Sequence, residues 1–412
     1  MKNTKLVAAA FIIGIVITAS IYGVYSLYAS PSAPSPTPTP TVTPTTSPTA
    51  TESPTASPTS TATTKPTTKP TTSSNTQTSS TPTPTPAPTE VTVTDGAGNT
   101  MTIPLPVTKI AALDGGIAEI LSAMGCEDLI VGRTDSCTMP PSILSVTSYG
   151  ENDYAPIVEA LITLDPDVIF ASSMLPYNPT SYQQLKNAGI PVYIIDTTTP
   201  EPTNPSELTK DELYALDTPI DFTCGLMQNF TKIVGHQTEA DTYVTWAQNY
   251  NKIVKDRIYA LTPTQQVKTY LEWYGYGRTF VTQSVYQAGG INIAENQTVY
   301  SPTLSTEFIV EQNPSAIIVL IASSTHNIND FIAARNDVLN RTSLQNVDAI
   351  KYGRVYVCDF YARSGVRCVI GYLYWAKWLQ PSLFSDIDPA TVNQELNQKF
   401  FGTAIAGTFA YP

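Results

Sequence analysis

The sequence predicts an α/β protein with two lobes, each built on a mainly parallel central sheet and joined to the other by a single long α-helix. Three observations lead to this prediction. About 320 residues of mixed composition follow a low-complexity segment, which is more than one hydrophobic core usually spans. Strand patterns alternate with helical patterns in two separate series. Between the series, residues 236–261 contain no glycine or proline and carry apolar side chains at near-helical spacing.

The first 89 residues are predicted to lie outside the folded part of the protein. Residues 1–5 carry two lysines and are expected to stay in the cytoplasm; the apolar run at 6–29 is long enough to cross a hydrocarbon core of about 30 Å. We interpret this run as a transmembrane anchor, and a secretory signal segment is the competing interpretation. Residues 30–89 are almost entirely Thr, Pro, Ser and Ala, which predicts a disordered and glycosylated tether. The folded part is therefore expected at the outer surface of the cell membrane.

The N-terminal lobe is predicted over residues 90–235. An alternating pattern on both sides of a Gly-rich turn, at 91–103, indicates a β-hairpin. Apolar runs and helical patterns then alternate, which is typical of β-α-β units in a Rossmann-like lobe. The predicted strands are 109–113, 129–132, 168–171 and 192–195, and the predicted helices are 116–124 and 181–188.

The long helix at 236–261 leads into the second series. A helix of about 25 residues is about 37 Å long, which is enough to bridge two lobes. The C-terminal lobe is predicted over residues 262–380 and is followed by a helical tail at 381–412. Its predicted strands are 267–273, 316–321 and 355–358, and its predicted helices are 305–312 and 327–334.

A repeated pattern relates the two lobes. In each lobe a glutamate stands seven residues before a proline that precedes an apolar strand: Glu159 before Pro166, and Glu307 before Pro314. We expect a short helix in each copy that ends ahead of the proline, because the residue before proline disfavours helical geometry. The glutamate then lies near the start of the helix, where its charge complements the dipole. Two carboxylates on one edge of a two-lobed body suit a partner with two basic pockets.

Five segments, in the same order along the chain, resemble the periplasmic binding proteins that deliver cobalamin, ferric siderophores and haem to ABC importers. The segments are 94–104, 164–169, 288–293, 353–357 and 376–389, and the resemblance covers about residues 91–401. It implies two lobes joined by a rigid helix, with a ligand cleft between them and little hinge closure. It also implies that Glu159 and Glu307 dock into arginines of the permease. The longer, polar connection at 197–224 and the apolar N-terminal segment depart from the family's pattern.

Candidate ligand-binding residues follow the strands, because ligands of open α/β sheets bind beyond the carboxyl ends of the strands. Aromatic side chains offer apolar area with a hydrogen-bonding edge, and arginine binds carboxylate or phosphate groups. A metal chelate or macrocycle presents the features that such side chains recognise. The candidates are Trp273, Tyr274 and Tyr276 after the first strand of the second lobe, Tyr361, Arg363 and Arg367 after its last strand, and Tyr154 in a loop of the first lobe.

The composition argues against several other classes of protein. A net charge of −12 without stripes of lysine or arginine disfavours nucleic-acid binding. The sequence has no nucleophile elbow, no phosphate-binding loop and no zinc-protease motif, and its two histidines supply general-base or zinc chemistry poorly. We therefore predict that the protein is not an enzyme, and we assign no catalytic residues and no metal ligands.

The cysteines indicate neither a disulfide-rich scaffold nor a zinc site, because five residues are scattered along the chain. Cys126 with Cys137, and Cys358 with Cys368, are close enough in sequence to be candidate disulfide pairs. Cys224 is then left as a buried thiol.

The predicted function is the extracytoplasmic substrate-binding component of an ABC importer. Its cargo is expected to be a metal chelate (a ferric siderophore, cobalamin or haem), and its partners are the permease and its ATPase. The chelate is cargo, and no resident cofactor is expected. Two alternatives stay open: a receptor of the same fold for another ligand such as an oxyanion, and a surface-anchored adhesin or structural glycoprotein.

Overall fold

A computed structural model describes residues 88–196, 208–273 and 275–412 of the chain. These residues belong to one compact unit, Pro82–Pro412. The predicted anchor at 6–29 and nearly all of the predicted tether at 30–89 lie outside the described residues, as does Tyr274. Within the described part of the chain, no helix has both the length and the apolar character needed to span a membrane.

The described part opens with an antiparallel hairpin of β1 (Glu90–Thr94) and β2 (Thr100–Pro104). Asp95 is buried at the turn, and its carboxylate accepts hydrogen bonds from the backbone N–H of Ala97 at 3.0 Å and of Asn99 at 2.7 Å. The same carboxylate accepts the N–H of Ile194 at 3.2 Å. The turn is thereby attached to the edge of the first sheet.

The first lobe contains a four-stranded, fully parallel sheet in the order β4-β3-β5-β6. Most of its strand residues are buried, which is typical of a parallel sheet covered on both faces by helices. The strands are β3 (Ile110–Ala112), β4 (Ile130–Arg133), β5 (Val168–Ala171) and β6 (Val192–Ile194), and the helices are α1 (Gly115–Ala123), α2 (Val158–Leu164) and α3 (Pro179–Asn187).

The part of the connection between the lobes that the structure describes, from residue 208 onward, contains three helices: α4 (Lys210–Ala215), α5 (Pro219–Val234) and α6 (Gln237–Tyr259). The predicted long helix is present as α6, which packs against α1 of the first lobe and against a short helix of the second. The sequence predicts a single helix between the lobes, whereas the structure has a helical hairpin, because α5 packs antiparallel to α6. Gly235 and His236, both with positive φ, reverse the chain between the two helices.

The second lobe contains a five-stranded sheet in the order β11-β10-β9-β7-β8, in which only β11 is antiparallel. The strands are β7 (Val267–Trp273), β8 (Gly290–Asn292), β9 (Ala316–Ile321), β10 (Val355–Asp359) and β11 (Ala410–Tyr411). The helices are α7 (Ser284–Gln287), α8 (Thr306–Gln312), α9 (Ile328–Leu339), α10 (Asp348–Lys351), α11 (Cys368–Leu379) and α12 (Pro389–Phe401). The predicted helical tail therefore contains α12 but returns to the sheet as β11.

One hydrophobic cluster runs through both lobes. It includes Phe170 of the first sheet, Leu320 of the second sheet and Phe230 of the helical hairpin. The two-lobed α/β fold with mainly parallel sheets is confirmed, and this shared core holds the lobes together. All five cysteines are buried free thiols, so neither candidate disulfide pair is formed.

Candidate functional site

The carboxyl ends of the two sheets meet at Tyr361, and the region above this contact corresponds to the ligand cleft that the sequence predicts. This residue follows β10 and packs over Gly115 at the start of α1, where an added Cβ would lie 3.2 Å from the tyrosine ring and 2.8 Å from the carbonyl oxygen of Ser136. Glycine is therefore required for the contact. The cavity that Gly115, Tyr361 and Arg367 line has a volume of about 10 Å³, which is room for one water molecule.

Arg367 lies below this contact and is fully buried. Its Nε donates to Oε1 of Glu119 in α1 at 2.7 Å, and its Nη1 donates to Asn393 at 2.8 Å and to Asn397 at 3.0 Å. The ion pair joins the two lobes. Sequence analysis placed Arg367 among the ligand contacts; its burial and its pairing with Glu119 favour a structural role between the lobes instead.

Three carboxyl groups form the wall of the cleft in the first lobe: Asp114 after β3, Asp196 after β6 and Asp153 in the loop before α2. Asp153 accepts the N–H and the hydroxyl of Ser172, at 3.0 and 2.5 Å. Asp196 accepts the N–H and the hydroxyl of Ser173, at 2.6 and 3.1 Å. The serines after β5 are therefore already engaged, and the wall presents carboxyl oxygens.

Burial dominates the electrostatics of this wall. It raises the pKa of Asp114 to about 6, although the N–H groups of Ile117 and Gly116 oppose the shift. Burial and then the charge of Asp114 raise the pKa of Asp153 to about 7. The pKa of Asp196 is raised by burial as well. Sequence analysis did not select these residues, although Asp114 and Asp196 follow buried strands within two residues.

The opposite wall, in the second lobe, is aromatic. Trp273 stacks on Phe360 with 4.4 Å between ring centroids, and Phe280 meets Trp273 edge to face at 6.2 Å. The guanidinium carbon of Arg363 lies 4.9 Å from the ring of Phe280 and 4.6 Å from that of Phe360. Tyr300 continues the wall, 6.0 Å from Phe280. We call Trp273, Phe280, Tyr300 and Phe360 the aromatic wall.

Two exposed tyrosines mark the mouth of the cleft. The side chain of Tyr300 is 37% exposed, and that of Tyr177, which follows β5 in the first lobe, is 42% exposed. Partial burial raises the pKa of Tyr177, and the charges of Asp196 and of Tyr300 add to the shift. Sequence analysis selected neither residue, because no local pattern separates them from the other tyrosines.

The structure brings some of the predicted ligand-binding residues together and separates others. Trp273, Arg363 and Tyr361 all contact Phe360 and form one group. Tyr276 lies away from that group: its hydroxyl donates to Oγ1 of Thr306 at the start of α8.

Tyr154 lies in the first lobe and is half-buried. Its carbonyl oxygen accepts a hydrogen bond from Nδ2 of Asn178 at 2.8 Å. The residue shares its loop with Asp153, so it belongs to the acidic side of the cleft. Among the residues that the structure describes, no group of three His, Cys, Asp or Glu side chains is arranged to hold a metal ion.

The two repeated glutamates occupy equivalent positions. Glu159 and Glu307 are both exposed, and each lies in the first turn of a seven-residue helix, α2 or α8. Both helices end in a left-handed residue, Asp165 with φ 51° and Asn313 with φ 43°. Both helices therefore end ahead of the proline, as predicted. The residue before each proline ends its helix in the left-handed conformation.

Comparison with known proteins gives a consistent result. The family model described as periplasmic binding protein matches residues 110–362. The substrate-binding lipoprotein YvrC of Bacillus subtilis, an uncharacterised ABC transporter protein, is 25% identical over 306 residues, which cover 72% of this chain and 87% of YvrC. The molybdate-binding protein MolA of Haemophilus influenzae is 24% identical over 339 residues, which cover 76% of this chain and 91% of MolA.

Solved structures share the fold. The structure of MolA bound to molybdate superposes with a TM-score of 0.62 at 21% identity, covering 77% of this chain and 99% of that one. A periplasmic haem-binding protein of Pseudomonas aeruginosa superposes with a TM-score of 0.52 at 18% identity, covering 67% of this chain and 94% of that one.

Proposed function

The chain belongs to the periplasmic binding protein family, and we propose on this premise that it is the extracytoplasmic substrate-binding component of an ABC importer that delivers a metal chelate to the permease. Members of this family bind ligands, and this chain is accordingly a binding protein and not an enzyme. Its relatives YvrC and MolA support the importer role, since one is named as an ABC transporter substrate-binding protein and the other as a molybdate-binding protein.

The cleft between the sheets is the observation that carries the proposal. The cavity below Tyr361 has a volume of about 10 Å³ and leaves no room for a chelate, so we place the proposed ligand above it, between the acidic wall and the aromatic wall. Aromatic rings and a nearby guanidinium suit a bulky ligand that has apolar faces and anionic groups. A ferric siderophore, cobalamin or haem has this character.

The second candidate ligand is an oxyanion, which the relative MolA favours. An oxyanion needs several convergent hydrogen-bond donors. The donors at the end of β5, on Ser172 and Ser173, are taken by Asp153 and Asp196, so this side of the cleft offers a small oxyanion few free donors. This wall therefore supports the chelate over the oxyanion. The family match lends no support to the adhesin alternative.

Glu159 and Glu307 are proposed to dock the receptor on the permease. Their exposure, their equivalent places at the start of α2 and α8, and their location on different lobes support paired contacts with basic residues. Ile157 and Ile162 are exposed beside Glu159, and Val310 is exposed beside Glu307, so apolar area is available around each carboxylate.

Thermal unfolding with a ligand panel tests the proposed cargo. Haemin, cyanocobalamin, a ferric siderophore and molybdate are added separately to the purified chain. We expect one chelate to raise the melting temperature, because a ligand at about 100 times its Kd stabilises the native state by about 2.7 kcal/mol. A shift with molybdate alone would establish the oxyanion receptor instead.

A further inference from the structure

We infer that the cargo presents a planar conjugated face, which stacks on the aromatic wall, and that Tyr300 and Trp273 set this specificity. The inference rests on the proposed function, because it takes the cleft to be where cargo binds. The inference limits the possible cargo to chelates with aromatic or tetrapyrrole groups, such as a ferric catecholate or haem. It excludes chelates that are built from aliphatic hydroxamates.

The aromatic wall is continuous and ordered. Each ring contacts the next: Tyr300 lies 6.0 Å from Phe280, Phe280 lies 6.2 Å from Trp273, and Trp273 lies 4.4 Å from Phe360. Such contacts fix the ring orientations before a ligand arrives. Phe280 is buried and supports its neighbours, so a flat ligand would stack on the accessible rings of Tyr300 and Trp273 without ordering them first, which lowers the entropy lost on binding.

The backbone holds Tyr300 in place at the mouth. The N–H of Val281 donates to the carbonyl oxygen of Tyr300 at 2.8 Å, and the N–H of Thr279 donates to that of Pro302 at 3.2 Å. The N–H of Leu304 donates to Gly277 at 2.7 Å, which completes a short ladder between the two segments. The phenol ring is therefore anchored at its backbone while 37% of its side chain is open to solvent.

The charge on this wall favours an anionic π system. The guanidinium of Arg363 lies against Phe280 and Phe360, within 5 Å of each ring centre. A cation among aromatic rings attracts carboxylate or phenolate groups carried by a flat ligand. Tyr177 supplies a further phenol from the first lobe. An aliphatic chelate gains little from stacking, and a small oxyanion has no face to stack.

The inference is tested by calorimetric titration of the full-length chain with four probes: haemin, a ferric tris-catecholate, a ferric trihydroxamate and molybdate. We expect haemin or the catecholate to bind at least about tenfold more tightly than the other two. Tyr300→Ala and Trp273→Leu should each weaken that probe by about tenfold. Tyr300→Phe, which keeps the ring, should stay within about twofold of the natural protein.

Tyr352→Ala serves as the matched control, because Tyr352 is 74% exposed on the surface after α10, outside the aromatic wall. Preferred binding of the hydroxamate or of molybdate overturns the inference but leaves the receptor role intact. Binding of an aromatic probe that neither Tyr300→Ala nor Trp273→Leu weakens overturns it as well. If none of the four probes binds, the proposed chelate function itself is rejected. If Trp273→Leu does not fold, the affinity of Tyr300→Ala for the aromatic probe tests the role of the aromatic wall by itself.

Discussion

Burial decides what a charged residue does in this protein, and Arg367 is the clearest case. From sequence alone it is a basic side chain shortly after a strand, which suggests a ligand contact. Its partner Glu119 lies 248 positions earlier in the chain, and no local sequence pattern predicts that the two residues form an ion pair. Asp153 was missed for the same reason, since only the fold brings it to Ser172.

Removing Glu119 is expected to destabilise the protein by about 3–5 kcal/mol, because Arg367 is then left buried without a counter-charge. Glu119→Leu should lower the denaturant midpoint accordingly, as measured by circular dichroism. The double variant with Arg367→Met serves as the control and should recover part of the loss, since both charges are gone. Equal stability of Glu119→Leu and the natural protein would contradict this prediction.

Asp153 is expected to make stability depend on pH. Its pKa is about 7 in the folded state and 3.8 in the unfolded state, so the stability it contributes is complete below about pH 4 and is lost as the pH rises through 7. Asp153→Asn cannot ionise. It should therefore exceed the natural protein in stability by on the order of 2–4 kcal/mol at pH 8 and by little at pH 4, in thermal unfolding.

Asp167→Asn provides the control of opposite sign. Although burial opposes it, hydrogen bonds from the N–H groups of Thr108 and Lys109 lower the pKa of Asp167. Its contribution is therefore present above the unfolded pKa and is lost as the pH falls. Asp167→Asn should be the less stable protein at pH 8. A lower stability of Asp153→Asn at pH 8 would refute the proposed role of its burial.

At the level of elements, the sequence predicts which helices and strands are present better than it predicts where they begin and end. The repeated helices α2 and α8 were expected from the spacing of glutamate and proline, and both are present. Helix α5 was missed because its segment was interpreted as a polar connection. A capping box of Thr218 and Asp221, with Pro219 in the first turn, was available as a signal for its start.

The left-handed residue that ends α2 allows the energetics of the helix end to be tested by substitution. Asp165 has φ 51° and an exposed side chain, so Asp165→Gly should keep or raise the free energy of unfolding, by up to about 1 kcal/mol. Asp165→Val should lower it by about 1–2 kcal/mol, because a β-branched residue resists this conformation. Denaturant titration measures both. The same loss in both variants would show that the side chain of Asp165, rather than its backbone, stabilises the cap.

At the level of the whole molecule, two lobes follow from the sequence because strand and helix alternation is a local signal. The composition of the cleft does not follow, because its walls are drawn from loops far apart in the chain. Tyr300 and Tyr177 lie 123 positions apart, on different lobes, and no local pattern relates them. Sequence analysis reached Trp273, Tyr361 and Arg363 by their position after strands.

The shared core predicts a single unfolding transition. One hydrophobic cluster includes residues of both sheets and of the helical hairpin, and the Glu119–Arg367 pair joins the lobes within it. Calorimetry should therefore give one peak, with a van't Hoff enthalpy close to the calorimetric enthalpy. Two resolved peaks would show that the lobes unfold independently.

The proposed docking on the permease belongs to the scale of the whole molecule, because it would use one glutamate from each lobe. Glu159→Lys combined with Glu307→Lys should abolish the stimulation of ATP hydrolysis in a reconstituted importer and leave cargo affinity unchanged. Asp128→Lys with Asp386→Lys makes the same change in charge at exposed positions outside α2 and α8, one in the first lobe and one after α11, and should retain stimulation. Loss of cargo binding in the first variant would place these glutamates in the cleft instead.

The contact at Tyr361 has a consequence for how cargo is handed over. Under the proposed function, cargo bound above this ring cannot enter further between the lobes, because the cavity beneath holds about one water molecule. Tyr300 and Glu307 lie only seven positions apart in the chain, so the aromatic wall and the proposed docking helix α8 share one segment. Since one hydrophobic core joins the lobes, we expect cargo to be released without a large separation of the lobes.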